Sequence, residues 1–235
     1  MAPPGATGRD QDGERQPLSH GAGRLRYAGA VIPDWAAALE PAAPDVVAAW
    51  RGIEAAQFLS VRREVRRRAG PGSATRVVTQ LDALVAAVVA LLDELPDEAL
   101  ALPGGEETWN VAQTIGHVAT SRAALVMAAG LAASGRWPAD APTVIPGVPG
   151  PMNVDLAQLT RKLVQSQRII VRSAAQVAGH EEEPCPLDHP LVGRLRCGEW
   201  LLFAGVHDLM HLEQLHSIAA TLAPSHAAPV GQSPR

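Results

Sequence analysis

SATRVVTQLDALVAAVVALLDEL, running from Ser73 to Leu95, is the stretch that decides how this chain folds. Val77, Val78, Leu81, Leu84, Val85, Val88, Leu91, Leu92 and Leu95 recur at helical spacing, and Pro96 stops the run. So wide an apolar surface must be buried against other helices. Downstream, three more helices follow. Thr108 can cap the second, from Trp109 to about Ala133, which closes near Ser134-Gly135. Asp155 opens the third, with the stripe Leu156, Leu159, Leu163, Ile170, Ala174 and Val177, and Gly179 closes it. The fourth begins near Gly198-Glu199 and continues through Leu222 to Pro224. No internal repeat or useful strand alternation is visible, so the expected fold is all-α, a four-helix bundle over residues 73–223.

The connections refine this. Residues 134–153 contain Pro138, Pro142, Pro146, Pro149 and Pro151 and are too long for a hairpin turn. A crossover of this kind lets helices two and three run in the same direction. The segment 179–196 is also long, and long loops at one end of a bundle commonly form the mouth of a pocket.

Upstream of the bundle, residues 1–33 are rich in Gly, Pro, Arg and Asp without any period and are expected to be disordered. A helix is expected over Asp45–Ala69, with Val46, Trp50, Ile53 and Val61 apolar and Arg62, Arg63, Arg66, Arg67 and Arg68 towards its end. That cluster reads either as a patch for nucleic acid or anionic membrane or as a solvated helix end, and the acidic total charge favours the second. Pro71-Gly72 breaks the chain, which makes residues 1–72 an N-terminal extension, expected to be dispensable for the bundle and removable by limited proteolysis. Residues 224–235 are expected to be a disordered tail.

Composition excludes several functions. Across 235 residues, 47% are hydrophobic and only 3% aromatic, which favours small-residue helix packing over a β-sandwich or barrel. A net charge of −4 speaks against a protein built to grip nucleic acid. The longest apolar run, Ala83 to Leu92, falls well short of the ~20 residues of a membrane span, so none is expected. Lys162 is the only lysine and Tyr27 the only tyrosine, and Lys162 among Arg161, Gln165 and Arg168 reads as solvated. Cys185 and Cys197 form no CxxC pair and no disulfide scaffold. With His180 and His189 they match no standard zinc finger, so buried or free cysteines are the expectation. Residues 1–19 have acids, arginines and prolines where a signal peptide needs an apolar segment, which reads as cytoplasmic. No GxGxxG, GxxxxGK[ST] or GxSxG is present.

The chemistry concentrates in Val206-His207-Asp208-Leu209-Met210-His211-Leu212-Glu213-Gln214. Residues four apart share a helical face, so His207 and His211 present both imidazoles in one direction and can chelate one divalent cation. His216 lies roughly 140° further round and cannot join them, while Gln214 stays on the histidine face. Asp208 and Glu213 point away and read as surface acids. On helix two, Asn110, Gln113, Thr114, Thr120 and Ser121 share the face of His117, whereas Val111, Ile115, Val118 and Leu125 lie elsewhere. Such a polar stripe faces either solvent or a polar cavity. If it meets His207 and His211, the bundle offers three neutral nitrogens with coordination positions left open, the layout of a catalytic zinc site.

Trp109-Asn110-Val111-Ala112-Gln113-Thr114-Ile115-Gly116-His117-Val118-Ala119 resembles the opening of helix two in the DinB-like (DinB/YfiT) superfamily of metal-binding four-helix bundles. Leu95-Pro96-Asp97-Glu98 is similar to its helix-one ending. His189-Pro190-Leu191-Val192-Gly193-Arg194-Leu195, Gly198-Glu199-Trp200-Leu201 and the 207–214 segment resemble its lead-in and helix-four histidine motif. The resemblance runs from about Ser73 to Leu222 and implies an up-down-down-up bundle, often a homodimer, with a divalent metal held by His117, His207 and His211. Cys197 stands where the family often has a threonine, and Met210 where a further histidine is frequent. The latter implies the loss of an outer or substrate contact with the metal triad intact. The family's activities vary from thiol S-transferases to a maleylpyruvate isomerase and hydrolase-like members, so fold does not fix function.

Two functions follow as expectations. The first is a metal-dependent enzyme, the ion being Zn²⁺ first and Ni, Mn or Fe as alternatives, with Gln113, Thr120, Ser121 or Gln214 orienting a small-molecule substrate. No carboxylate lies on the inferred ligand faces to serve as the general base of a hydrolase, which tilts the reading to S-transfer with a low-molecular-weight thiol. The second is a non-catalytic metal-binding or stress-associated interaction bundle. Neither involves nucleic acid or membrane.

Overall fold

The computed structural model describes residues 32–53, 58–105, 108–144 and 147–222; of the segments expected to be disordered, 1–33 and 224–235, all but residues 32 and 33 lie outside the described residues. Three short helices come first, α1 (Asp34–Leu39), α2 (Pro44–Trp50) and α3 (Phe58–Arg68). The single helix expected over Asp45–Ala69 is thus two. The chain leaves α2 at Arg51-Gly52, where glycine's low helix propensity lets it turn, with Gly52 N–H donating to Ala49 O (3.1 Å) and Ile53 N–H to Trp50 O (3.0 Å). The break allows both pieces to bury their apolar faces: Val46, Val47, Trp50, Val61 and Val65 belong to the same core as the long helices. Val46 sits directly on Gly205 of the last helix, where any side chain would clash with it. Asp45 ties the segment down by accepting from Arg76 Nε and Gln80 Nε2, both at 2.7 Å. Residues of α1, α2 and α3 therefore share the core of the long helices.

The four long helices are α4 (Ser73–Glu94), α5 (Val111–Ala133), α6 (Leu156–Val177) and, after a two-stranded hairpin, α7 (Cys197–Leu222). α4 packs on α6 and α7, and α5 packs on the same two. Contacts along α5 and α6 rise together in number: Gly116 lies against Gly150 and Pro151, Arg122 bonds Ser166, and Gly130 lies against Ser173 and Gln176. α5 and α6 accordingly run the same way, joined by the proline-rich crossover. α6 starts as the sequence indicates, with Asp155 and Gln158 in a reciprocal capping box. α5 starts two residues later than expected. Asn110, not Thr108, caps it, and Gln113 N–H and side chain complete the box.

The hairpin, β1 (Pro184–His189) and β2 (Gly193–Arg196), was not visible as an alternating pattern. It is short and irregular, with a register break between Pro184 and Asp188, and two prolines interrupt its sequence period. Cys185 within β1 and Cys197 at the start of α7 are buried free thiols, in line with the reading of no disulfide scaffold. By length and apolar content alone, α4 and α5 pass as membrane spans, which the count of uninterrupted apolar residues overlooked. Their apolar faces are spent on neighbouring helices, the pattern of core helices in a bundle.

Candidate metal centre

α5 and α7 meet through two polar clusters. In the interior, Arg122 is fully buried and touches all four long helices. Its Nε donates to Asp208 Oδ2 (2.8 Å), Nη1 to Ser166 Oγ (3.1 Å) and Nη2 to Leu81 O (3.0 Å). Asp208, read from the sequence as a surface acid, is 1% exposed. Helical counting placed it correctly off the histidine face, but that side of α7 is interior because α4 and α6 close over it. Burial pushes the Asp208 carboxyl above its ordinary range, and the charge and hydrogen bond of Arg122 offset this only in part.

One turn away, His117, His207 and His211 come together, one ligand nitrogen of each lying within 4.8 Å of the others. The local folding explains why they face one another. His207 and His211 are a single turn apart on α7, and His117 projects from the first turns of α5, whose start the Asn110 cap fixes. Trp109 packs on the His117 ring, with centroids 4.8 Å apart. The crossover seats itself over the same spot because Gly116 and Gly150 touch; a Cβ on Gly150 would come within 2.6 Å of the Gly116 Cα. That approach brings Val148 O to within 2.8 Å of His117 Nδ1.

Hydrogen bonding then sets the ring tautomers. His117 Nδ1–H donates to Val148 O, and His211 Nδ1–H donates to Gln214 Oε1 at 2.7 Å, which makes Nε2 the acceptor nitrogen of each ring. His117 Nε2 lies 3.3 Å from His207 Nε2. Metal–nitrogen bonds of about 2.05 Å at a tetrahedral angle separate their nitrogens by about 3.3 Å, so the pair has the spacing of one edge of a zinc site. The rings are also held neutral. Burial and the neighbouring His211, His117 and His189 depress His207 well below the ordinary imidazole value, and burial with His117 lowers His211 to about 4. A neutral imidazole whose Nδ1–H is already engaged, as in His211, is what a divalent ion requires. His207 Nδ1 is buried without a hydrogen-bond partner.

The four residues expected to orient a ligand fare differently. Ser121 Oγ lies 3.2 Å from His117 Nδ1, and Gln214 holds His211. Gln113 is committed to the α5 cap, and Thr120 is exposed and donates to Gly116 O in its own helix (2.9 Å). His216 stands apart, stacked on Trp35, as its angular position requires. Among the described residues His117, His207 and His211 are the one metal-capable group, with no Asp or Glu in it and nothing formed by Cys185, Cys197, His180 and His189. Sequence reasoning missed Arg122. The signal was present, since Arg122 is the only charged residue in the 23-residue helix α5 and so required an internal partner.

The fold and site together define a helical bundle with a three-histidine centre able to hold a metal ion. The DinB superfamily model matches residues 80–215, which covers both histidine-bearing helices, and the chain belongs to that superfamily. No curated protein and no solved structure matches the chain.

Proposed function

We propose that this protein binds one divalent metal ion, Zn²⁺ foremost, through Nε2 of His117, His207 and His211, and that it serves as a thiol S-transferase using a low-molecular-weight thiol. The observation that supports this most is the convergence of three imidazoles in a cluster that contains no carboxylate. An ion bound there supplies Lewis acidity that lowers the pKa of a thiol or water. Hydrolysis by such a site needs a nearby general base, and a thiolate does not. The chain's own part is to present the three lone pairs: Val148 O and Gln214 Oε1 fix the tautomers of His117 and His211, and Trp109 limits water beside His117. Ser121 Oγ, next to His117, is placed to donate to a substrate's electronegative group. In the overall transfer, the thiol loses its proton, its sulfur forms a bond to an electrophilic carbon, and the leaving group departs with its electron pair.

The test uses cobalt-substituted protein. Adding glutathione, bacillithiol or mycothiol should give a sulfur-to-metal charge-transfer band with one of them, absent in His211→Ala, accompanied by S-transfer well above the uncatalysed rate. Metal binding with neither thiol ligation nor metal-dependent turnover on thiol substrates would withdraw the enzyme and leave a non-catalytic metal-binding bundle.

A further inference from the structure

The arginine-rich end of α3 has no part in the histidine centre, and the structure divides it in two. Arg67 and Arg68 turn to Glu64 of their own helix, at 2.8 and 3.3 Å. Arg62 and Arg66 turn instead to a cavity of about 430 Å³ between α3 and the β1–β2 hairpin. Arg194 and Arg196 line its opposite wall, Pro184 and Leu195 add apolar surface, and no carboxylate is among the lining residues. The volume lies in the range of small-molecule sites.

Three of these arginines have acidic neighbours beyond the lining: Arg66 has Glu199 at 3.4 Å, Arg196 has Glu182 at 3.3 Å and Arg194 has Asp188 at 4.0 Å. Arg62 differs. Its Nε is buried with no hydrogen-bond partner among the described residues. Its Nη1 stretches to the hairpin turn, 3.5 Å from where a side chain on Gly193 would begin. An atom so enclosed is not reached by a ligand, so Arg62 meets the cavity it lines through the other atoms of its side chain. The planar fork of Arg suits a phosphate, which it can hold by two parallel hydrogen bonds.

We propose that this cavity binds a small organic phosphate monoester, with its phosphate oxygens on Arg62 and the flanking Arg66, Arg194 and Arg196, and its body against Pro184 and Leu195. A nucleic-acid backbone fits less well. Glu64 neutralises the outer arginines, and Glu182, Asp188 and Glu199 around the rim would repel a polyanion.

Isothermal titration calorimetry of the full chain at low ionic strength, with phenyl phosphate and with inorganic phosphate as probes, tests this. One saturable site per chain is expected, tighter for phenyl phosphate because only it reaches the apolar walls. Arg62→Gln should weaken binding at least about tenfold. Arg67→Gln, outside the lining, and His117→Ala, at the metal centre, should leave it unchanged. If Arg62→Gln loses its native circular dichroism, Arg194→Gln takes its place, with a weakening of about threefold expected. Absence of saturable binding, undiminished binding in a folded Arg62→Gln or Arg194→Gln, or equal affinity for the two probes would overturn the proposal. So would binding confined to duplex DNA or to phosphatidylserine vesicles.

Discussion

Arg122–Asp208 and the three histidines occupy neighbouring turns of the same two helices, yet they solve the problem of buried polarity in opposite ways. Arg122 spends its guanidinium on partners from α4, α6 and α7, and needs nothing from outside to be stable. His117 and His211 engage Nδ1 with Val148 O and Gln214 Oε1, while His207 Nδ1 is buried without a hydrogen-bond partner and its Nε2 lies 3.3 Å from His117 Nε2. The first cluster joins the four long helices, and the second is a group able to hold a metal ion.

The sharpest break between the two comes from removing one member of each. Arg122→Ala leaves the Asp208 carboxylate buried and unpaired, and should cost about 3–5 kcal/mol by urea denaturation, with or without metal. The double change Arg122→Met with Asp208→Leu should recover much of that loss, because no charge is then stranded. His207→Ala in metal-free protein should instead change stability by only about 1–2 kcal/mol. Its metal affinity, measured by zinc titration against a chelator, should fall at least about a hundredfold. An Arg122→Ala protein as stable as the wild type would dissolve the distinction.

Acid provides the next contrast. The folded-state values of His207 and His211 lie below the unfolded value of 6.5, that of His211 at about 4, so the unfolded chain binds more protons in this window. Their contribution to stability is fully present above about pH 6.5 and is lost as pH falls towards 4. Asp208 is shifted upward, so lowering the pH through its titration favours the folded state and adds nothing to this acid lability. Urea midpoints of chelator-treated protein should therefore drop between pH 6.5 and 4.5, and a flat profile over that span would remove the histidines' distinctive role. The smallest effect expected is that of Gln214→Ala. Loss of the partner that orients His211 should lower zinc affinity by about 10-fold while the fold stays intact by circular dichroism.

Much of this was legible in the sequence because it rests on spacing. The apolar run from Ser73 to Leu95 and the pair His207 and His211 follow directly from helical periodicity, and Asp155 announced its own helix. What escaped depended on closure in three dimensions. Asp208 looked like a surface acid because one helix cannot reveal that two others cover its far side. The split into α2 and α3 was hidden because a helical period carries across Gly52, and only the packing of Val46 on Gly205 shows where α2 is seated. The hairpin escaped because prolines and a register break erase the alternation that marks a strand.

The central claim is that the histidine cluster is a metal site, and metal content tests it most directly. Protein purified without a histidine tag should carry close to one divalent ion per chain by elemental analysis, and His117→Ala, His207→Ala and His211→Ala should each carry almost none while remaining folded. Full occupancy retained in both His117→Ala and His211→Ala would contradict the assignment.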